Sequence, residues 1–414
     1  MTVYRMANSV MPYAWGSRDG IAQLQGRPVS AQPEAELWMG AHPQAPSMLE
    51  GPGGSCALDA LVESAPGEVL GDDVVARFGP RLPFLLKVLS AAEPLSLQVH
   101  PDDELARERF DAEETTGIER SAAARSYRDP YAKPELLVAL TDFELLLGFR
   151  PAREGAAALR SFGVRQLDSI ATALDDGMAP GAAFLTIASW PDGERQKLVA
   201  DVRSAAAGSV DERSPWLTML ADRYPEDPGV AGVLLLNYLR LHEGQGVYVA
   251  PGQIHAYLQG TGVEILGGSD NVVRGGLTPK HIAIDELRRA LSVESVQPIV
   301  IEPSADAEPT SGSDDEERWV TPRAEFALSR IRLHGNGKVI VTSGPQILLC
   351  LAGKIEVAAA DNTVTIGGGE SAFVTADTGA VTVSGHGIVV RAISGTAATA
   401  EESSNRASRP KADS

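Results

Sequence analysis

Cysteine is nearly absent from this sequence. Cys56 and Cys350 lie far apart in 414 residues and outside any C-x-x-C spacing, so neither a disulfide framework nor a thiolate zinc site is indicated. Any metal must be held by His, Gln and carboxylates. Long apolar runs are missing too: the most apolar stretch, "GVAGVLLLNYL", is too short to span a bilayer. The N-terminal "MTVYRMANSVMPYAWGS" has no apolar leader segment, so a cytoplasmic protein is expected. Positive charge is in deficit, with 36 Lys and Arg against 55 Asp and Glu, a net −19. That balance argues against non-specific binding of nucleic acid or anionic membrane. An anionic small molecule remains a candidate ligand, provided that cations gather locally against the field.

What is present reads as a folded protein: 43% hydrophobic and 22% charged residues are ordinary for globular chains. The length favours two or three domains. Up to about residue 150, short alternating strands mix with Gly/Pro turns, and "LPFLLKVLS" and "PELLVALTDFELLLGF" read as buried strands. Residues 152–225 are Ala-rich with helical spacing, which predicts a helical domain inserted into mainly β structure. Strand texture resumes at "GVLLLNYLRLHEGQGVYVAPGQIHAYLQGTGVEIL". In "TPKHIAIDELRRAL" a helix is expected, with Ile284, Leu287 and Leu291 on one stripe. "EPSADAEPTSGSDDEER" reads as a solvated linker. Short strands between Gly turns follow, with jelly-roll texture over 301–395, and 396–414 is expected to be disordered. The expected division is a central domain of 1–151 and 226–300, the insert, the C-terminal β domain and the tail.

The chemistry gathers on strands. In "PLSLQVHPDDE" Ser96, Gln98 and His100 alternate with Leu95, Leu97 and Val99, so in a strand the polar groups share one face. Glu135 in "YAKPELLVAL" shares a face with Lys133. His255 in "VAPGQIHAYLQG" shares one with Tyr257. Each position alone is unremarkable; jointly, His100, His255, Glu135 and Gln98 make a set suited to a divalent metal with open positions for substrate oxygens. His42, His242, His281, His334 and His386 sit in turns or beside polar segments and read as structural or exposed.

"YAWGS", "AELWMGAHPQAPS", "LPFLLKVLSAAEPLSLQVHPD", "YAKPELLVALTDFELLLGFRP" and "HAYLQGTGVEILGGSDNVVRGGLTPKHI" occur in this order, and together they resemble the type I phosphomannose isomerase family over about residues 10–290. The resemblance implies cupin-like β-barrels or jelly rolls with a helical domain, and one zinc ion held by Gln98, His100, Glu135 and His255. It places phosphate and active-site groups at Lys87, Ser96, Lys133 and Lys280, with Glu264, Asp270 and Arg274 lining the same pocket. Tyr257 joins the substrate-binding candidates, and Trp15 matches the aromatic of the N-terminal signature. Two departures stand out: Tyr131-Ala132 replaces the common Asn-His before Lys-Pro-Glu, and Gly267-Gly268 precedes Ser-Asp-Asn.

The implied reaction interconverts mannose 6-phosphate and fructose 6-phosphate, moving a proton between C1 and C2 through a cis-enediol. Zinc polarises the oxygens while remote cations hold the phosphate. Arg274 does not readily lose its proton and so reads as an electrostatic clamp on the enediolate. Glu264 and Lys280 are both open as base or shuttle. A monomer is expected. Two competing readings are a cupin iron oxygenase with a two-His, one-carboxylate triad and a non-catalytic sugar-phosphate-binding cupin.

Overall fold

The computed structural model describes residues 2–395 except 121, 123, 124, 281, 306–315 and 342. Two antiparallel sheets of eleven strands each dominate it. The central sheet turns on one strand, His255–Gly267. Its first residues pair with Phe143–Phe149 and, at His255, with Gln98. Its later residues pair on one side with Phe84–Ala91 and on the other with Glu135–Ala139. The register shifts between Tyr257 and Gln259, and Gly260 follows at φ +134, where a Cβ would lie 2.6 Å from Phe143 Cδ2 and 2.8 Å from Asp142 O. Only glycine fits there, and the kink lets one strand serve both halves of a closing sheet.

Alternation then separates two environments. Leu89, Leu137, Val247, Val249 and Tyr257 share one core on the inner face of the curled sheet. Their neighbours Leu86, Val88, Leu136, Val138, Val263 and Ile265 face outward and pack against Ile347, Leu349, Phe373 and Val390 of the second sheet. Leu86 is fully buried at this seam; truncating it to Ala costs about 2–5 kcal/mol, the usual range for core leucines.

Helices Ala152–Ser161, Asp168–Asp175, Pro180–Ala188, Asp192–Ala207 and Ser214–Arg223 follow the strand Phe143–Phe149, as the Ala-rich spacing predicts. Leu198, Val199, Val202 and Ala206 form the buried stripe of the longest of these. Their core is shared with Leu97, Val99, Ile254 and Leu258 of the central sheet, so the helices brace the back of the strands that carry the candidate ligands.

The structure departs from the sequence reading at several places. Leu58–Ser64, Asp72–Phe78 and Asp103–Thr115 are helices within the stretch read as strands and turns. In the last, Asp102 caps the helix by accepting from the Leu105 amide at 2.8 Å, with Asp103 and Glu104 in the first turn, both favourable at a helix N-terminus. "GVAGVLL" is helical, as Gly229–Gly232 and then Val233–Leu235, and the strand starts only at Leu236. The helix expected in "TPKHIAIDELRRAL" covers Ile284–Ala290. Val3–Ala7, Met48–Gly51 and Gly54–Ala57, read as part of the central unit, are strands of the second sheet. His281, most of the acidic linker and the tail 396–414 lie outside the described residues. Among those described, no helix is long and apolar enough to cross a membrane.

Candidate active site

The short strand Leu97–Val99 sets the site. Leu97 and Val99 point into the helical core. Gln98, on the opposite face, is paired with His255 on one side and with Arg274 on the other, so amide, imidazole and guanidinium lie side by side. The alternation does not extend back to Leu95, which joins the inner core of the sheet and donates its amide to Tyr257 O at 2.9 Å; the pleat begins only at Leu97. Ser96 is half-buried just ahead of it.

His100, Glu135 and His255 converge, with one ligand atom from each lying within 4.8 Å of the others. All three are buried, at 1%, 3% and 3% exposure. His100 Nδ1 lies 2.7 Å from the Asn271 carbonyl and His255 Nδ1 lies 3.1 Å from the Gln253 carbonyl. A carbonyl only accepts, so both Nδ1 atoms carry a proton, and Nε2 is the ring atom that a neutral imidazole offers to a metal. Both Nε2 atoms face Glu135, at 3.1 Å for His100 and 3.4 Å for His255, and His100 Nε2 is buried without a hydrogen bond. Burial first, then Lys133, lowers the His100 pKa to about 4, so this imidazole is neutral near pH 7. Burial opposes charge on Glu135, yet Lys133 and His100 hold its carboxyl well below the usual range. A neutral imidazole whose lone pair is aimed at a carboxylate is repelled unless a cation lies between them. The donors therefore fit a divalent metal, with Gln98 beside His255 by register.

The cations are placed unequally. Lys133 Nζ lies 3.0 Å from Glu135 Oε1. Lys87, 6% exposed, sits between Glu36 at 3.4 Å and Glu264 at 3.6 Å, 5.0 Å above the Trp38 ring. Burial disfavours its charge, but Glu36, Glu264 and Glu135 outweigh burial and raise its pKa. Burial, reinforced by Glu135 and opposed by Lys87, pushes the Glu264 carboxyl up to about 7. Tyr257 donates to Glu135 Oε2 at 3.3 Å. Trp15 stacks on Tyr13 and packs against the inner core. Lys280 is exposed. Asp270 accepts at 2.9 Å from His42, so His42, read from sequence as structural or exposed, is tied to one of the candidate site residues.

Four further residues escaped the sequence reading. Glu36 and Trp38 alternate along Glu36–Met39 and meet Lys87 across the register Trp38↔Lys87; the spelling E-L-W-M carried that signal. His42 and Asn271 gave none. Asn271, fully buried, accepts from the Arg128 amide at 2.7 Å and the Asp129 amide at 3.3 Å, and donates to the carbonyls of Asp129 and Tyr131. Through its own carbonyl it also orients His100. Ala132, where the family commonly has His, is buried.

An antiparallel sheet that converges two histidines and a carboxylate able to hold a metal ion, with lysines beside them, is the arrangement of a metal-dependent enzyme. Residues 3–152 match the family described as phosphomannose isomerase type I, catalytic domain, and residues 315–394 match mannose-6-phosphate isomerase, cupin domain. The chain is 36% identical over 394 residues to mannose-6-phosphate isomerase of Escherichia coli (strain K12), covering 94% of this chain and 98% of that one. It is 30% identical over 404 residues to mannose-6-phosphate isomerase 1 of Arabidopsis thaliana, covering 90% and 89%. A crystal structure of mannose 6-phosphate isomerase from Salmonella typhimurium bound to substrate (f6p) and zinc superposes with a TM-score of 0.86 at 33% identity, covering 96% of this chain and all of that one. The chain belongs to the type I phosphomannose isomerase family.

Proposed function

We propose that this chain is a zinc-dependent isomerase interconverting mannose 6-phosphate and fructose 6-phosphate. The observation that carries this reading is the convergence of the buried His100 and His255 on the ionised Glu135, in a chain similar over nearly its whole length to enzymes of that name. His100, His255, Glu135 and Gln98 hold the metal. When bound, zinc acts as a Lewis acid toward the oxygens on C1 and C2 and lowers the barrier to proton loss between them. Glu264 is the better candidate to carry that proton: it is buried on the inner face and pushed up to about 7, matched to accept and return a proton near neutrality, whereas Lys280 is at the surface. Tyr257 fixes the orientation of Glu135, and Lys133 holds it ionised. Arg274, beside Gln98, faces the anionic substrate. Ser96, Trp15 and the His42–Asp270 pair shape the walls. Gln98 and the cations weigh against the oxygenase reading, since a facial triad needs neither.

Residues 1–151 with 226–300 form the catalytic cupin unit in this reading, 152–225 its helical insert, and 301–395 the second β unit, with Val3–Ala7, Met48–Gly51 and Gly54–Ala57 contributed to the latter's sheet. Free Cys56 and Cys350 suit an enzyme of the reducing cytoplasm.

The test is a coupled assay of zinc-loaded protein with mannose 6-phosphate, with glucose 6-phosphate and mannose as controls. Turnover of mannose 6-phosphate alone, lost on chelation and restored by zinc, is expected. Binding without turnover, or O₂ consumption with iron, would sink the proposal.

A further inference from the structure

We propose that His42 is a positioning residue for the isomerisation: it holds one carboxylate oxygen of Asp270, so that the other is presented in a fixed direction to a hydroxyl of the sugar. This deepens the isomerase reading and rests on it for the identity of the substrate.

The imidazole is itself fixed on several sides. Its Nδ1 accepts from the Gln44 amide at 3.2 Å, so Nε2 is the atom that carries a proton, and it donates to Asp270 Oδ1 at 2.9 Å. The ring stands edge-on to Trp38, with centroids 4.6 Å apart and planes at 71°. Trp38 in turn donates its indole N–H to Glu36 at 2.6 Å. A turn histidine without a task would leave its ring in water, whereas this side chain is 10% exposed.

Asp270 is held from its other end as well. Its amide donates to Asp129 Oδ2 at 2.7 Å, so the backbone and one carboxylate oxygen are both pinned. Among the described residues, the carboxylate receives no hydrogen bond besides that of His42. Burial opposes its charge, but His42, Lys133 and Arg128 outweigh burial and keep it ionised. The side chain is 32% exposed, and with His42, Tyr131 and Arg128 it lines a cavity of about 550 Å³.

Position ties this carboxylate to the metal centre. Lys133, which interacts electrostatically with Asp270, lies 3.0 Å from Glu135 Oε1. An ionised oxygen with an unused acceptor site, partly withdrawn from water, is matched to a hydroxyl donor. A free carboxylate samples many orientations; held at one oxygen, it meets the sugar in one, and such preorganised contacts orient the reacting carbons over the metal. His42 need not touch the sugar for this, because its contribution passes through Asp270.

The experiment is a double-mutant cycle on zinc-loaded protein. His42→Phe keeps a ring against Trp38 and removes the donor, whereas His42→Gln sets an amide N–H near the place of Nε2 and restores it. Asp270→Asn removes the charged acceptor. His242→Gln, in the surface pair His242–Asp142 at 74% and 85% exposure, is the control. Zinc content, kcat/KM for mannose 6-phosphate and calorimetric affinity for mannitol 6-phosphate, which has no carbonyl to isomerise, are measured. His42→Phe is expected to lower kcat/KM by about tenfold or more, the scale of a hydrogen bond to a charged group, with zinc unchanged. His42→Gln recovers most of the loss, and His242→Gln loses nothing. In the Asp270→Asn background His42→Phe adds little, because the two residues act as one unit. Additive losses, an unchanged kcat/KM in His42→Phe, or loss of its zinc overturn the proposal. Should His42→Phe fail to fold, His42→Asn, whose shorter amide falls short of Asp270, takes its place against His42→Gln. A wild type that binds mannitol 6-phosphate without turning over mannose 6-phosphate refutes the isomerase reading alone, and the same non-additivity in affinity then upholds His42. A wild type that does neither refutes both.

Discussion

His100 and His255 each offer one ring nitrogen to the site, so changing either to Ala should remove most bound zinc and with it the activity, while circular dichroism stays that of wild type. Gln98→Ala should retain more metal, because water can replace a neutral amide oxygen. Stoichiometric zinc in His100→Ala would refute the ligand set. Lys87 invites a different test. Lys87→Met leaves Glu36 and Glu264 buried without their cation, a loss on the order of 3–5 kcal/mol. Glu264 is already raised from its ordinary 4.5 to about 7, so its burial makes the protein less stable as pH rises through that window. In Lys87→Met the window should extend to higher pH, and adding Glu264→Gln should restore part of the stability. Urea denaturation across pH measures both, and strictly additive losses would contradict the coupling. The convergence of His100, Glu135 and His255 was legible in the sequence because alternation along a strand sets each of them among polar neighbours on one face. His42 and Asn271 were not, because their partners are remote: Asp270 is 228 positions from His42, and Arg128 is 143 from Asn271. No local pattern encodes such a contact.

Among the elements, the strand Glu316–Trp319 carries a buried charge cluster. Glu316 accepts from Ser329 at 2.7 Å and pairs with Lys338 at 2.8 Å and Arg391 at 3.2 Å. Burial opposes its ionisation, but Arg391 and Lys338 prevail and lower its pKa to about 2. The unfolded group keeps its ordinary 4.5, so the stabilisation is complete above about 4.5 and disappears as pH falls toward 2. Its size is about 3 kcal/mol, from the shift at about 1.4 kcal/mol per unit. Glu316→Gln should lower stability by a similar amount at pH 7 and flatten the acid limb, measured by urea denaturation from pH 7 to 3. An unchanged acid limb would mean that the cluster contributes nothing. Long β elements such as Phe84–Ala91 and Phe143–Phe149 were legible as apolar runs bounded by turns. Gly229–Gly232 and Val233–Leu235 were not: a short apolar run reads equally as strand or buried helix, and here packing in the helical core decides. The helix Asp103–Thr115 did carry a signal in its Asp102 cap and acidic first turn, hidden by the lack of an apolar stripe.

Across the whole molecule, the helices between Ala152 and Arg223, the central sheet and the second sheet are layered so that the strands carrying His100, Glu135 and His255 are packed on their outer faces by one neighbour or the other. The site is therefore held from behind by apolar contacts that need no metal. The second sheet is less self-contained. Val3–Ala7 sits within it, between Ser371–Val374 and Met48–Gly51, and pairs Val3 with Val374 and Met6 with Ser371. During synthesis this early strand has to wait for one made near the end, roughly 20–75 s later at about 5–20 residues per second. Throughout that interval the side of the strand that will meet Ser371–Val374 is an open β-edge, although Met48–Gly51 can already pair with the other side, and such an edge is a template for pairing with another copy. Ribosome stalling before Ser371–Val374 emerges is therefore expected to raise aggregation of the nascent chain, a consequence of where the first strand is stitched into the fold.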